Sequence, residues 1–102
     1  MAIAQVTIVP IGTGSTSLSD FVADLQRVLG KAGPSVRYEL TAMSTNIEGE
    51  LDEILQIVRQ MHESPFERGA MRVSTSITID DRRDRAGTMA QKIASVEEKL
   101  RE

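Results

Sequence analysis

From Met71 to Asp80 the chain alternates without a break. Met71, Val73, Thr75, Ile77 and Ile79 occupy one set of positions; Arg72, Ser74, Ser76, Thr78 and Asp80 occupy the other. A period of two is the signature of a strand. One of its faces is wholly polar, which suits either solvent or a second subunit. A strand needs partners, and the rest of the chain supplies them. Ala2–Ile11 reads as a strand with Ala4, Val6 and Ile8 on one face and Gln5, Thr7 and Val9 on the other. Val36–Ala42 and about Ser44–Glu48 read as two more, with Met43 at the turn between them. Between these lie two amphipathic segments. In Leu18–Gly30 the apolar face is Leu18, Phe21, Val22, Leu25, Val28 and Leu29. Ser17 with Asp20 suggests a capping box at its start. In Glu50–Ser64 the face is Leu51, Ile54, Leu55, Val58 and Met61; His62 is placed in the last turn and Pro65 at the stop.

A further helix is expected over Ala86–Leu100, where Met89, Ile93, Val96 and Leu100 form a narrow seam suited to a partner chain. The order is β-α-β-β-α-β plus a C-terminal helix: an α+β, ferredoxin-like split βαβ domain with an antiparallel sheet. Its 102 residues predict one domain spanning 1–102.

Composition narrows the function. The net charge is −3 and only 3% of residues are aromatic, so neither a basic face nor stacking rings invite nucleic acid. The chain has no cysteine, which removes disulfides and thiolate chemistry. No apolar run is long enough to span a membrane, and Met1-Ala2-Ile3 runs straight into a strand pattern without a signal peptide. These features point to the cytoplasm. The single histidine, His62, has no evident nucleophile or zinc-type spacing around it, so neither an enzyme nor a metal site is expected. Gly12-Thr13-Gly14 follows a strand and precedes a helix but lacks the Lys-Ser/Thr ending of a phosphate loop. Arg82, Arg83 and Arg85 interleave with Asp80, Asp81 and Asp84, the pattern of a salt-bridged loop.

The densest polar stretch is Tyr38–Glu50, Y-E-L-T-A-M-S-T-N-I-E-G-E. Its hydroxyl, amide and carboxylate groups suit a small polar or cationic ligand. They equally suit a turn followed by a helix start.

Three segments, Val9–Ser19, Tyr38–Glu50 and His62–Asp84, taken in order, resemble the small thiamine-binding family related to the YkoF-type thiamine and hydroxymethylpyrimidine binders. With their connecting helices they cover nearly the whole chain. The resemblance implies a ferredoxin-like homodimer or homotetramer built through sheet faces. It implies a pocket near the subunit contact that binds thiamine or its pyrimidine precursor without a catalysed reaction or cofactor. Carried onto this chain, the ligand-binding candidates are Tyr38, Thr45, Asn46, Glu48, Ser15, Ser17 and Thr75. Asn46 and Thr45 would bond the aminopyrimidine edge, Tyr38 would stack or cap, and Glu48 would face the thiazolium charge. Helix capping is the alternative role for Glu48 and Ser17. The other function class is an oligomeric regulatory or scaffold domain without thiamine, working through the Met89–Leu100 seam.

Overall fold

A computed structural model describes residues 1–85 and 87–102. Strands β1 (Ala2–Pro10), β2 (Arg37–Leu40), β3 (Thr45–Gly49) and β4 (Val73–Asp81) form one antiparallel sheet in the order β2-β3-β1-β4. Helices α1 (Ser19–Gly30) and α2 (Leu51–Glu67) cover one face. The third helix, α3 (Met89–Leu100), starts on the other. The expected α+β split βαβ fold is therefore present.

Side-chain alternation decides which face is buried. Ala2, Ala4, Val6 and Ile8 of β1 pack with Ile47 of β3 under Leu25 and Leu29 of α1 and Ile54, Val58 and Met61 of α2. The register pairs Ala4 with Ile47 on one side and with Ile79 on the other. The opposite, open face therefore carries Ile3, Gln5, Thr7 and Val9 in β1, Asn46 and Glu48 in β3, and Ser74, Ser76, Thr78 and Asp80 in β4.

Several boundaries differ from the sequence reading. Strand β2 is shorter than expected, because Thr41 has already turned. Its N–H donates to the Ser44 carbonyl (2.8 Å), and its Oγ1 accepts the Ser44 N–H (3.0 Å). Helix α1 starts at Ser19 with Leu18 as N-cap and no side-chain cap. Ser17 does not cap it: the Ser17 N–H donates to Ser15 Oγ (3.1 Å), and its own hydroxyl meets Ser19 Oγ (3.5 Å). Helix α2 runs through Pro65 to Glu67. Proline near a helix end forfeits a single ladder bond, and here the ring is buried. The true stop is Gly69 at φ +102°, a backbone region natural to glycine. The Gly69 N–H donates to the Phe66 carbonyl (3.0 Å) and the Ala70 N–H to the Pro65 carbonyl (3.0 Å), a Schellman closure. His62 consequently lies a turn inside the helix. Its Nδ1 pairs with Thr75 Oγ1 at 2.6 Å, and its ring meets Phe66 edge-on, tying α2 to β4. The expected start of the last helix at Ala86 falls outside the described residues; α3 begins at Met89.

Arg68 joins the two covering helices through a fork on Asp24, with Nε and Nη2 donating at 2.5 and 3.0 Å. These bonds hold the Asp24 carboxyl below the usual carboxylate range. A carboxylate depressed in the folded state stabilises above its unfolded pKa and loses that contribution as pH falls through its folded pKa. The Asp24→Asn variant is therefore expected to be less stable than the parent at neutral pH. The gap should narrow on acidification below about pH 4. Urea midpoints of both proteins across pH test this; a constant gap would rule out the ion pair as its origin.

Candidate functional site

Strand β3 pairs with β1 only from Ala2 to Val6. Beyond Val6 the β3 side of β1 has no strand beside it, because the chain has turned away at Thr41–Ser44. The gap is a cleft of about 430 Å³. Its walls are Thr7, Ile8 and Val9 of β1, Leu18, Val22 and Leu25 at the start of α1, and the turn from Leu40 to Thr45. The volume falls within the range of small-molecule sites, which are mostly apolar with a few placed polar groups. Here the polar groups are the hydroxyls of Thr41, Ser44 and Thr45. Thr45 is buried, and its Oγ1 accepts from Gln26 Nε2 at 3.3 Å. Gln5 Nε2 donates to Ser44 Oγ (3.3 Å), bracing the turn from the open face.

The seven candidates do not share one site. Thr45 lines this cleft. Tyr38 lies on the same face but further along, its hydroxyl over Gly30 at the far end of α1. Thr75 is occupied by His62. Ser15 and Ser17 line a separate cleft of about 460 Å³ beside Asp20, Phe21 and Arg68. Asn46 and Glu48 point to the open face. Glu48 is buried, and its carboxylate is engaged: Oε2 accepts the Met89 N–H at 2.7 Å, and Oε1 lies 4.0 Å from Arg37 Nε. It does cap a helix, but that helix is α3 rather than the adjacent α2, whose N-cap Glu50 makes no side-chain bond.

A second, larger cleft of about 720 Å³ lies at the opposite end, lined by Met1, Glu50, Asp52, Asp81, Arg82, Arg83 and Arg85. Its arginines are largely spent within the loop. Arg82 grips Asp84 at 2.6 and 2.9 Å, and Arg83 holds Asp81 at 2.8 and 3.1 Å. These bonds lower the Asp81 carboxyl and take that of Asp84 to about 2. The salt-bridged loop read from the sequence is thus present.

Sequence reasoning missed three contributors. Leu18, Val22 and Leu40 look like ordinary core positions, and only the early end of β3 exposes them to a cavity. The cap of α3 was legible: Thr88 and Gln91 form a reciprocal capping box, with both bonds at 3.1 Å.

The fold and cleft define a small ferredoxin-like α+β domain with a ligand-sized cavity at one end of its sheet. The family of thiamine-binding proteins matches residues 4–97, and the chain belongs to that family. It is 49% identical over 102 residues to the UPF0045 protein YqgV of Bacillus subtilis, covering 98% of each. It is 44% identical over 101 residues to a UPF0045 protein of Methanothermobacter thermautotrophicus, covering 98% of this chain and all of that one. Among solved structures, a hypothetical protein of Methanocaldococcus jannaschii superposes with a TM-score of 0.82 at 35% identity, covering 95% of this chain and 96% of that one. A Thermotoga maritima protein provisionally assigned to thiamine biosynthesis or salvage shares the fold, with a TM-score of 0.76 at 21% identity over 93% and 97% of the two chains. Among the described residues no helix is long and apolar enough to cross a membrane.

Proposed function

We propose that this protein is a non-catalytic binder of thiamine or its hydroxymethylpyrimidine half, serving salvage, transport or sequestration, with the ligand seated in the cleft between α1 and the β2–β3 turn. The observation that carries the reading is the family membership over residues 4–97 together with a cavity of about 430 Å³. Its apolar walls suit a flat ring, and its hydroxyls suit the donor and acceptor edge of an aminopyrimidine. Reversible binding rather than catalysis fits a site built of aliphatic side chains and neutral hydroxyls. The histidine is committed elsewhere, to Thr75.

A ligand that binds only the folded state raises the unfolding midpoint once its concentration exceeds its dissociation constant. Thiamine, hydroxymethylpyrimidine and thiamine phosphates are therefore titrated against thermal unfolding at fixed protein concentration. A dose-dependent rise is expected with thiamine or with the pyrimidine alone. Val22→Trp, which fills the cleft from α1, is expected to abolish that rise while the far-UV spectrum stays native. Asn46→Ala, on the other face of the sheet, is expected to leave it unchanged. The reverse pattern would move the ligand to the open face, where Asn46 stands; no rise with any compound at millimolar concentration would remove the thiamine reading.

A further inference from the structure

Charge divides the clefts of this molecule. The cleft of about 720 Å³ carries Glu50, Asp52, Asp81 and three arginines, and that of about 460 Å³ carries Asp20 and Arg68. The cleft of about 430 Å³ between α1 and the β2–β3 turn is lined by no charged residue and no aromatic one. An ion moved from water into such a place loses its hydration and gains no partner. Helix α1 begins beside the cleft, but Asp20 in its first turn already complements the positive end of that helix. A phosphate therefore finds no cation here, and a thiazolium ring finds neither a carboxylate nor an aromatic face.

The hydroxyls of the cleft narrow the ligand further. A hydroxyl has one proton and two lone pairs. Thr41 uses all of them inside the turn. Its Oγ1 donates to the Ser44 carbonyl at 2.9 Å and accepts the N–H groups of Ser44 at 3.0 Å and Met43 at 3.4 Å. Ser44 Oγ is braced by Gln5 Nε2 at 3.3 Å and lies 3.1 Å from Thr41 Oγ1.

Thr45 is different. It is 4% exposed, on the covered face of the sheet, and its Oγ1 accepts from Gln26 Nε2 at 3.3 Å. Among the described residues no acceptor takes the Thr45 proton, and the free volume beside the hydroxyl is the cleft. A threonine in solvent exchanges donor and acceptor roles freely; the Gln26 amide holds this one as a donor. Gln26 comes from α1 and does not itself line the cleft. A ligand there meets the hydroxyl, not the amide.

We infer that the cleft selects a neutral planar ligand presenting an acceptor atom, such as a ring nitrogen of an uncharged aminopyrimidine, with Thr45 as the specificity-determining donor and Gln26 as the positioning residue that fixes its polarity. This rests on the reading that the cleft is the ligand site. The pyrimidine half is then the recognised unit. The thiazolium half of thiamine gains nothing from these walls, and a phosphate on the pyrimidine's hydroxymethyl group is rejected.

The test is calorimetric titration at mildly alkaline pH, where the pyrimidine is neutral. The parent is expected to bind hydroxymethylpyrimidine, to bind thiamine no more than about threefold more tightly, and to bind hydroxymethylpyrimidine phosphate at least about tenfold more weakly. Four variants, each checked for a native circular dichroism spectrum, probe the donor with hydroxymethylpyrimidine alone. Thr45→Val removes the hydroxyl and is expected to weaken binding about tenfold; Thr45→Ser keeps it and is expected to stay within about threefold of the parent. Gln26→Glu sets a carboxylate where the amide stood. It captures the Thr45 proton and is expected to weaken binding as much as Thr45→Val does. Gln26→Leu removes the amide without offering an acceptor and is expected to lose less affinity than Gln26→Glu. A merely structural glutamine gives the opposite order, because glutamate is its closer isostere. Four results would each overturn the proposal and leave the ligand reading standing: a phosphate ester that binds as tightly as the free pyrimidine, thiamine that binds more than about threefold more tightly than the pyrimidine, parent affinity in natively folded Thr45→Val, or weaker binding by Gln26→Leu than by Gln26→Glu. Binding of none of the compounds would remove both.

Discussion

Ile47→Ala is expected to remove about 2–5 kcal/mol of folding free energy, the range for truncating a buried isoleucine. The position explains the size. Ile47 is fully buried in the short strand β3, where its neighbour across to β1 is Ala4. Ala2 and Ala4 leave room above the centre of the sheet, and Ile47 fills it together with Ile54 and Met61 from α2. Against a total stability of about 5–15 kcal/mol for a domain, this loss is a large fraction. It corresponds to a midpoint lowered by on the order of 10–20 °C. Urea unfolding followed by circular dichroism measures it. A loss under about 1 kcal/mol would mean that the helix layer collapses onto the sheet and that the core is not close-packed there. The adjacent Thr45, which lines the proposed ligand cleft, makes this variant a useful control. Its binding should fall only as far as its folded fraction does.

Glu48→Ala is expected to release α3. The carboxylate is buried on the open face and accepts the first N–H of that helix, with Arg37 at the rim. A hydrogen bond to a charged group contributes about 1.5–3 kcal/mol. The truncation also leaves the Met89 amide without its partner. The readout is amide exchange across Met89–Lys92, which should accelerate by roughly tenfold or more, at 1.4 kcal/mol per decade. Glu48→Gln keeps an acceptor oxygen but no charge, so it should fall between the two. Unchanged exchange in Glu48→Ala would show that Thr88, Gln91 and the Lys92–Asp80 pair hold the helix unaided.

Much of this structure was legible in the chain. The alternation in β1 and β4 and the three- and four-residue spacing in α1 and α2 prescribed both periods and the order of elements. Tight local rules govern such segments. Errors fell at ends, where two signals compete. Pro65 looked like a stop, yet near a helix end it costs only one bond, while Gly69 supplies the left-handed residue that closes the helix. Ser17 looked like a cap, yet its groups are satisfied by Ser15 and Ser19.

The candidate site was less legible, and the reason is geometric. Tyr38–Glu50 is one polar run in sequence, but a strand sends successive side chains to opposite faces. Tyr38 and Thr45 therefore part company with Asn46 and Glu48. The residue types, the elements and their order are local matters, and the sequence alone determined them, along with the resemblance that the family match bears out. Which carboxylate meets which helix, and where the sheet runs out to leave a cleft, depend on contacts between residues far apart in the chain. Glu48 and Met89 are 41 positions apart and meet only because α3 returns across the sheet. The cleft exists only because β3 begins no earlier than Thr45, opposite Val6, while β1 continues to Pro10.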